Sequence, residues 1–181
     1  MLFRSPEPPL SAGPALARAG ATAMMDVSDS LLRDAGRLAR ASGVVLDLDD
    51  PVVPGTALEA DVAALAPVAT LLRGMGSPPG RDGESSGAGS GDLACQDATS
   101  TTGVTGVDGS LRDRTAARTW VLTGGEDHGM LATVPAHAVG RLPEGARVIG
   151  RVRTAAPGGA PAVLVAGRPP GRDLGWDHFR R

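Results

Sequence analysis

Ala21 to Leu48 constrain the fold of this chain more than any other stretch, because three elements and their boundaries follow one another without slack. Ala21-Thr-Ala-Met-Met25 is a short apolar run suited to a buried strand. It ends at Asp26-Val-Ser-Asp-Ser30, residue types that begin helices. Behind them Leu31, Leu32, Ala35, Leu38 and Ala39 recur at helical spacing, while Arg33, Asp34, Arg37 and Arg40 fall on other faces. Gly43 is a natural stop, and Val44-Val-Leu-Asp-Leu48 then reads as a second strand, broken by Pro51 and Pro54.

The flanking sequence extends this pattern. Residues 1–20 read as a lead-in, with a short helix that has Pro14 near its first turn. Leu58 to Ala66 predicts a helix closed before Pro67. Residues 74–118 are dominated by Gly, Ser, Thr and Asp and are too poor in apolar side chains to offset their ordering entropy, so they predict a disordered low-complexity insertion. Trp120-Val-Leu-Thr123 predicts a strand, Gly124-Gly125 a turn, and His128 to Val134 a second strand. Pro135 opens a short helical stretch, and Arg147 to Val152 and Ala162 to Val165 are further strands. The expected fold class is α+β, with helices packed on a mixed, mainly antiparallel sheet. Residues 21–73 and 119–181 together form the expected folded domain.

Composition narrows the function classes. The chain is 41% hydrophobic but only 2% aromatic, so its core must be aliphatic. A net charge of −2 argues against nucleic-acid binding and against a polybasic membrane anchor. The single cysteine, Cys95, excludes an internal disulfide framework and a Cys-rich zinc site. No apolar run approaches the ~20 residues of a membrane span, and the start lacks the apolar core of a signal peptide. The expectation is a cytoplasmic protein that binds neither nucleic acid nor membrane.

Three motifs carry chemistry. Asp26-Val-Ser-Asp29-Ser30 places two carboxylates and two hydroxyls at a strand-to-helix junction. Free N–H groups there suit a phosphate, and the carboxylates suit a Mg²⁺ that bridges to it; capping of the helix by Ser28 or Asp29 explains the same residues without a ligand. Thr123-Gly-Gly-Glu126-Asp127-His128 would display an acidic pair at a sheet end, or simply form a hairpin turn. Gly175-Trp176-Asp177-His178-Phe179 puts two of the four aromatics at the end of the chain, either anchoring it or offering Trp176 to a flat cationic ring. Asp47, Asp49 and Asp50 could imitate a metal cluster but suit a strand end and loop better.

Together these motifs resemble the carboxyl-terminal half of bacterial thiamine-monophosphate kinases, over nearly the whole chain outside the insertion. Trp120-Val-Leu-Thr-Gly-Gly-Glu-Asp127 and Gly175-Trp-Asp-His-Phe179 point to that family in particular. The aspartate-serine-aspartate motif has looser counterparts in aminoimidazole ribonucleotide synthetase and its relatives, whose carboxyl-terminal domain is the fold implied. The resemblance implies ATP-dependent phosphorylation of thiamine monophosphate to thiamine diphosphate. It implies Asp26 and Asp29 as Mg²⁺ ligands, Ser28 as an ATP contact, and Glu126 and Trp176 as contacts to the thiamine substrate. Ser30 stands where the family usually has Gly, which predicts crowding at the helix entry, and Gly129 stands where a larger residue is common. The Gly-Asp-Asp metal motif of the family's amino-terminal ATP-binding domain does not occur in this sequence, and the expectation is a chain without that domain. The resemblance therefore also implies a partner: a separate chain carrying that domain, or self-association through the apolar surface it would cover. A non-catalytic module that binds thiamine phosphate or a partner domain, and a degenerate fragment, are the alternatives.

Overall fold

A computed structural model describes residues 9–75, 105–125, 129–171 and 174–175. The elements are α1 (Ala12–Ala19), β1 (Ala23–Val27), α2 (Leu31–Ser42), β2 (Val44–Leu48), α3 (Glu59–Gly74), α4 (Thr105–Thr123), β3 (Gly129–Thr133), a 3-10 turn (Ala136–Arg141), β4 (Gly150–Thr154) and β5 (Ala162–Val165). The strands form two sheets. β1 pairs antiparallel with β3, from Ala23 opposite Thr133 to Val27 opposite Gly129. The other sheet has the order β4-β2-β5, with β2 antiparallel to β4 and parallel to β5. Helices with mixed pairing make an α+β fold, as the sequence predicts.

α2 is the centre of the molecule. Leu32, Ala35, Leu38 and Ala39 of its apolar stripe meet Leu46 and Leu48 of β2, Val163 and Val165 of β5, Leu131 of β3 and Leu122 of α4. Ala35 and Ala39 are wholly buried, so their short side chains let the helix lie close on the sheets. Each fully buried Leu or Val stabilises the fold by about 1.5–3 kcal/mol. Gly43 ends the helix with φ +68°, a conformation open to glycine.

β4 begins three residues later than the expected Arg147 and runs on to Thr154. The two larger departures, in α4 and α3, share one reason. Trp120-Val-Leu-Thr123 is the last turn of α4, not a strand. α4 starts at Thr105, so the folded body resumes inside the segment expected to be disordered; residues 76–104 of that segment lie outside the described residues. α3 likewise runs through Pro67 to Gly74 instead of closing before it. The two helices support each other. Asp113 of α4 is buried and accepts hydrogen bonds from Thr70 Oγ1 (2.7 Å) and Arg73 Nη2 (2.9 Å), both beyond the proline in α3. Tertiary packing thus carries the helix past a residue that forfeits one backbone hydrogen bond. Leu71, Leu72 and Met75 of α3 and Leu111 of α4 remain exposed. No described helix is long and apolar enough to cross a membrane.

α4 is also tied to the loop after β2. Arg118 grips both oxygens of Asp50, at 2.7 and 3.1 Å, and the Val52 N–H reaches the same carboxylate. Burial alone would raise the Asp50 pKa, but the Arg118 hydrogen bonds, the Val52 N–H and the Arg118 charge together hold it below the usual carboxylate range. A pKa lowered by folding gives stability that is present above the unfolded value of about 4 and is lost as pH falls through the folded value. Arg118→Gln is therefore expected to cost about 1–2 kcal/mol at neutral pH and to remove part of the acid dependence of stability below pH ~4. Urea titrations at pH 7 and pH 3 check both effects.

Candidate functional site

The acidic motif lies where β1 hands over to α2. β1 alternates, so Ala23, Met25 and Val27 pack toward the core while Met24 and Asp26 stand exposed. The chain then turns through Ser28 and Asp29 and enters the helix. The cap is Ser30, not Ser28 or Asp29: its Oγ accepts the Arg33 N–H at 3.0 Å. The same hydroxyl donates to the Leu174 carbonyl, so a wholly buried group uses both of its functions. Ser30 has φ 171°, extended backbone that any residue adopts, so this departure from glycine carries no backbone strain, although its side chain is packed tightly against Leu174 and Gly175.

Asp34 organises the turn, and the sequence pattern missed it. It is fully buried, and its Oδ2 accepts the N–H groups of Ser28 (3.0 Å), Asp29 (3.1 Å) and Ser30 (3.3 Å). Its Oδ1 accepts from Arg37 Nη1 at 2.6 Å. This corrects the anion reading of the junction. The amides expected to be open to a phosphate already hold the chain's own carboxylate, which satisfies the orphan donors and the helix dipole together.

Arg37 reaches across to the second acidic residue of the motif. Its Nη2 lies 2.5 Å from Asp29 Oδ2, so one guanidinium bridges Asp29 and Asp34. The hydrogen bond to Asp29 raises the Arg37 pKa, opposed by slight desolvation and reinforced by Asp34 and by both negative charges. The site therefore presents Asp26 open to solvent and Asp29 mostly buried against a positive charge. Among the described residues no group of three or more His, Cys, Asp or Glu is placed to enclose a metal. Asp26 and Asp29 are hard oxygen donors of the kind a Mg²⁺ takes in pairs, with phosphate oxygens and water completing its shell. Asp26 and Asp29 are thus of the donor type that such a site uses, and Asp29 already carries the Arg37 guanidinium.

The other two motifs meet this turn. Gly124-Gly125 ends α4, with the Gly124 N–H on the Trp120 carbonyl at 2.7 Å, and does not form the expected hairpin. Gly125 lies so close to the turn that a Cβ there would stand 2.7 Å from the Ser28 carbonyl oxygen and 2.8 Å from that of Asp29. Four residues later Gly129 is opposite Val27. Glu126, Asp127 and His128 lie outside the described residues, but the chain on both sides of them abuts the Val27–Asp29 turn. From the carboxyl-terminal motif, Leu174 receives the Ser30 hydroxyl and the Gly175 carbonyl receives Arg33 Nη2 at 3.2 Å. Trp176 is the next residue and lies outside the described residues. Three motifs separated in sequence thus converge on the amino-terminal end of α2.

The Asp47, Asp49 and Asp50 run is used structurally. Asp47 sits inside β2, where it is nearly buried, accepts the Gly167 N–H at 2.8 Å and pairs with Arg153 at 2.7 Å. It borders an open depression of about 230 Å³ that also involves Asp49, Arg151, Arg153 and Gly167 and shares no residue with the Asp26–Ser30 turn.

No protein-family model matches this chain, and no solved structure does. Two curated proteins do: the thiamine-monophosphate kinases of two strains of Mycobacterium tuberculosis, each 35% identical over 174 residues, which is 96% of this chain and 36% of the relative. The chain spans about a third of the length of the curated relatives it matches. This chain is similar, over nearly all of its own length, to part of a thiamine-monophosphate kinase.

Proposed function

We propose that this chain contributes the carboxyl-terminal share of a thiamine-monophosphate kinase site, which transfers the γ-phosphoryl group of ATP to thiamine monophosphate and yields ADP and thiamine diphosphate. The observation that carries this reading is the convergence of the Asp26–Ser30 turn, the Gly124–Gly125 exit of α4 and the Leu174–Gly175 segment at the start of α2. Phosphoryl transfer between two phosphate-bearing substrates needs positioning and neutralised charge more than covalent help. A bound Mg²⁺ would supply that neutralisation between the phosphates. Asp26, exposed at the end of a paired strand, and Asp29, fixed in the turn, would hold the cation.

The turn's rigidity is its own contribution. Ser28 and Asp29 are held by Asp34 through their backbone, which keeps the ligand side chains from having to order when substrate arrives. Ser28, with its N–H engaged, offers its hydroxyl to ATP. Glu126, following Gly125, and Trp176, following Gly175, would contact the thiamine moiety; the flat cationic thiazolium suits an indole face and a nearby carboxylate. ATP and the remaining metal ligands call for protein groups beyond those described, of the kind a further domain would supply.

The test is phosphoryl transfer from ATP to thiamine monophosphate with Mg²⁺, measured on the 181-residue chain alone and with a kinase amino-terminal domain added in trans. Turnover that appears on mixing and falls at least 100-fold in Asp26→Asn supports the reading, because loss of a charged ligand removes several kcal/mol of transition-state stabilisation. Turnover on mixing that is unchanged in Asp26→Asn removes Asp26 from the site. Thiamine monophosphate binding without turnover under either condition would favour the non-catalytic module.

A further inference from the structure

The Asp29–Arg37–Asp34 bridge has an asymmetry. Asp34 is wholly buried and anchored by three backbone N–H groups, so it cannot leave. The Arg37 side chain, in contrast, is 40% exposed, and Asp29 is 12% exposed. One guanidinium prong is therefore moored to a fixed carboxylate, while the other neutralises a carboxylate that solvent can reach. Arg37 rises from the helix one turn beyond Asp34, so its reach to Asp29 is set by α2 and does not depend on any substrate.

We infer that Arg37 is a tethered internal cation that competes with a divalent metal for Asp29 and shifts onto Asp34 when the metal arrives. This rests on the reading of Asp26 and Asp29 as cation ligands. In the metal-free chain the guanidinium neutralises Asp29 and holds its side chain in place. Entry of a divalent cation puts a second positive charge beside the guanidinium, and only the Asp29 prong can yield. The device lowers the affinity of the turn for a bare cation. A cation arriving with phosphates is less penalised, because their negative charge screens it from Arg37. Arg37 is thus a positioning residue that favours the metal–nucleotide complex over the free metal. Lys in its place would keep the charge but lose the fork that spans two carboxylates.

The probe is Mn²⁺ alone, followed by the water-proton relaxation enhancement of the full chain, in wild type, Arg37→Gln, Arg37→Lys and Asp26→Asn. The expected result is that Arg37→Gln binds Mn²⁺ about tenfold more tightly than wild type, as expected when a unit charge a few ångströms from a divalent ion is removed in a partly solvated site. Arg37→Lys should fall between the two, and the gain should vanish in Arg37→Gln/Asp26→Asn. Because Asp34 keeps its three N–H partners, Arg37→Gln should unfold within a few degrees of wild type; Arg37→Lys carries the comparison should it not. Equal or weaker Mn²⁺ binding in both Arg37 variants, with Asp26-dependent binding in wild type, overturns the competition and leaves the metal reading standing. Absence of Asp26-dependent binding in every variant overturns both.

Discussion

Asp34→Ala is expected to destabilise the chain by about 3–5 kcal/mol, the range seen when one partner of a buried charged network is removed. The side chain is fully buried, and its loss strands the N–H groups of Ser28, Asp29 and Ser30 together with one prong of Arg37. Each buried donor left without an acceptor costs about 1–3 kcal/mol, and water entering the space recovers part of the sum. The unfolding midpoint should fall by about 10 °C, at 2–4 °C per kcal/mol for a chain of this size. Asp34→Asn separates the two functions of the carboxylate. Its oxygen can still take the three N–H groups, but its amide then faces Arg37 as donor against donor. A smaller loss, about 1–2 kcal/mol, is expected. Urea unfolding with unchanged slope checks both values, and an Asp34→Ala midpoint within error of wild type would remove Asp34 as the organiser of the turn.

Gly175→Ala is expected to undock the carboxyl-terminal segment. Gly175 has φ +99°, where any side chain is strained by about 1–3 kcal/mol. Its added methyl would also run into the Ser30 side chain and the Thr123 carbonyl. The Ser30–Leu174 and Arg33–Gly175 hydrogen bonds, both accepted by main-chain carbonyls of the segment, should therefore open, and limited proteolysis of the carboxyl-terminal segment should be at least tenfold faster, since 1.4 kcal/mol is already a factor of ten. Trimming the other side of the collision tests the cause. Ser30→Gly should recover part of the docking in Gly175→Ala, because it removes the atoms the methyl meets, although it also removes the helix cap. Unchanged proteolysis of that segment in Gly175→Ala would show that the contact is slack. The two positions share one small volume: the serine that stands at the helix entry occupies space that the glycine at 175 leaves open.

The parts of this fold that were readable in sequence are those where one local pattern suffices. α2 shows its stripe, its start and its Gly43 stop within a dozen residues, and β2 follows at once with the boundaries its composition predicts. α4 was not readable. Its first half is polar and glycine-bearing, and the apolar run Trp120-Val-Leu122 has the length of a buried strand, which periodicity alone cannot tell from a helix segment. Leu122 enters the core because it packs with α2 and the sheets, and Asp113 is buried because Thr70 and Arg73 stand across from it. The site divides in the same way. Asp26 and Asp29 are visible as a motif, and their junction was foreseen. By its spacing Asp34 falls on a polar face, off the apolar stripe. It is buried by the backbone N–H groups of the preceding turn, and a hydrophobic pattern has no symbol for them.

The partners within each sheet lie far apart along the chain. The Thr22 side chain meets Thr133 across 111 residues, and Asp47 meets Gly167 across 120. Neither sheet can close until the chain has returned from a long excursion, so assembly is governed by loop closure and should be slow for a domain of this size. The same arithmetic makes the excursion tolerant. The closure cost grows only with the logarithm of loop length, by about 0.6 kcal/mol for each doubling. α3 and α4 pack against each other within that excursion, so the chain between the two helices can lengthen or shorten over evolutionary time at little thermodynamic cost to the turn that carries Asp26 and Asp29.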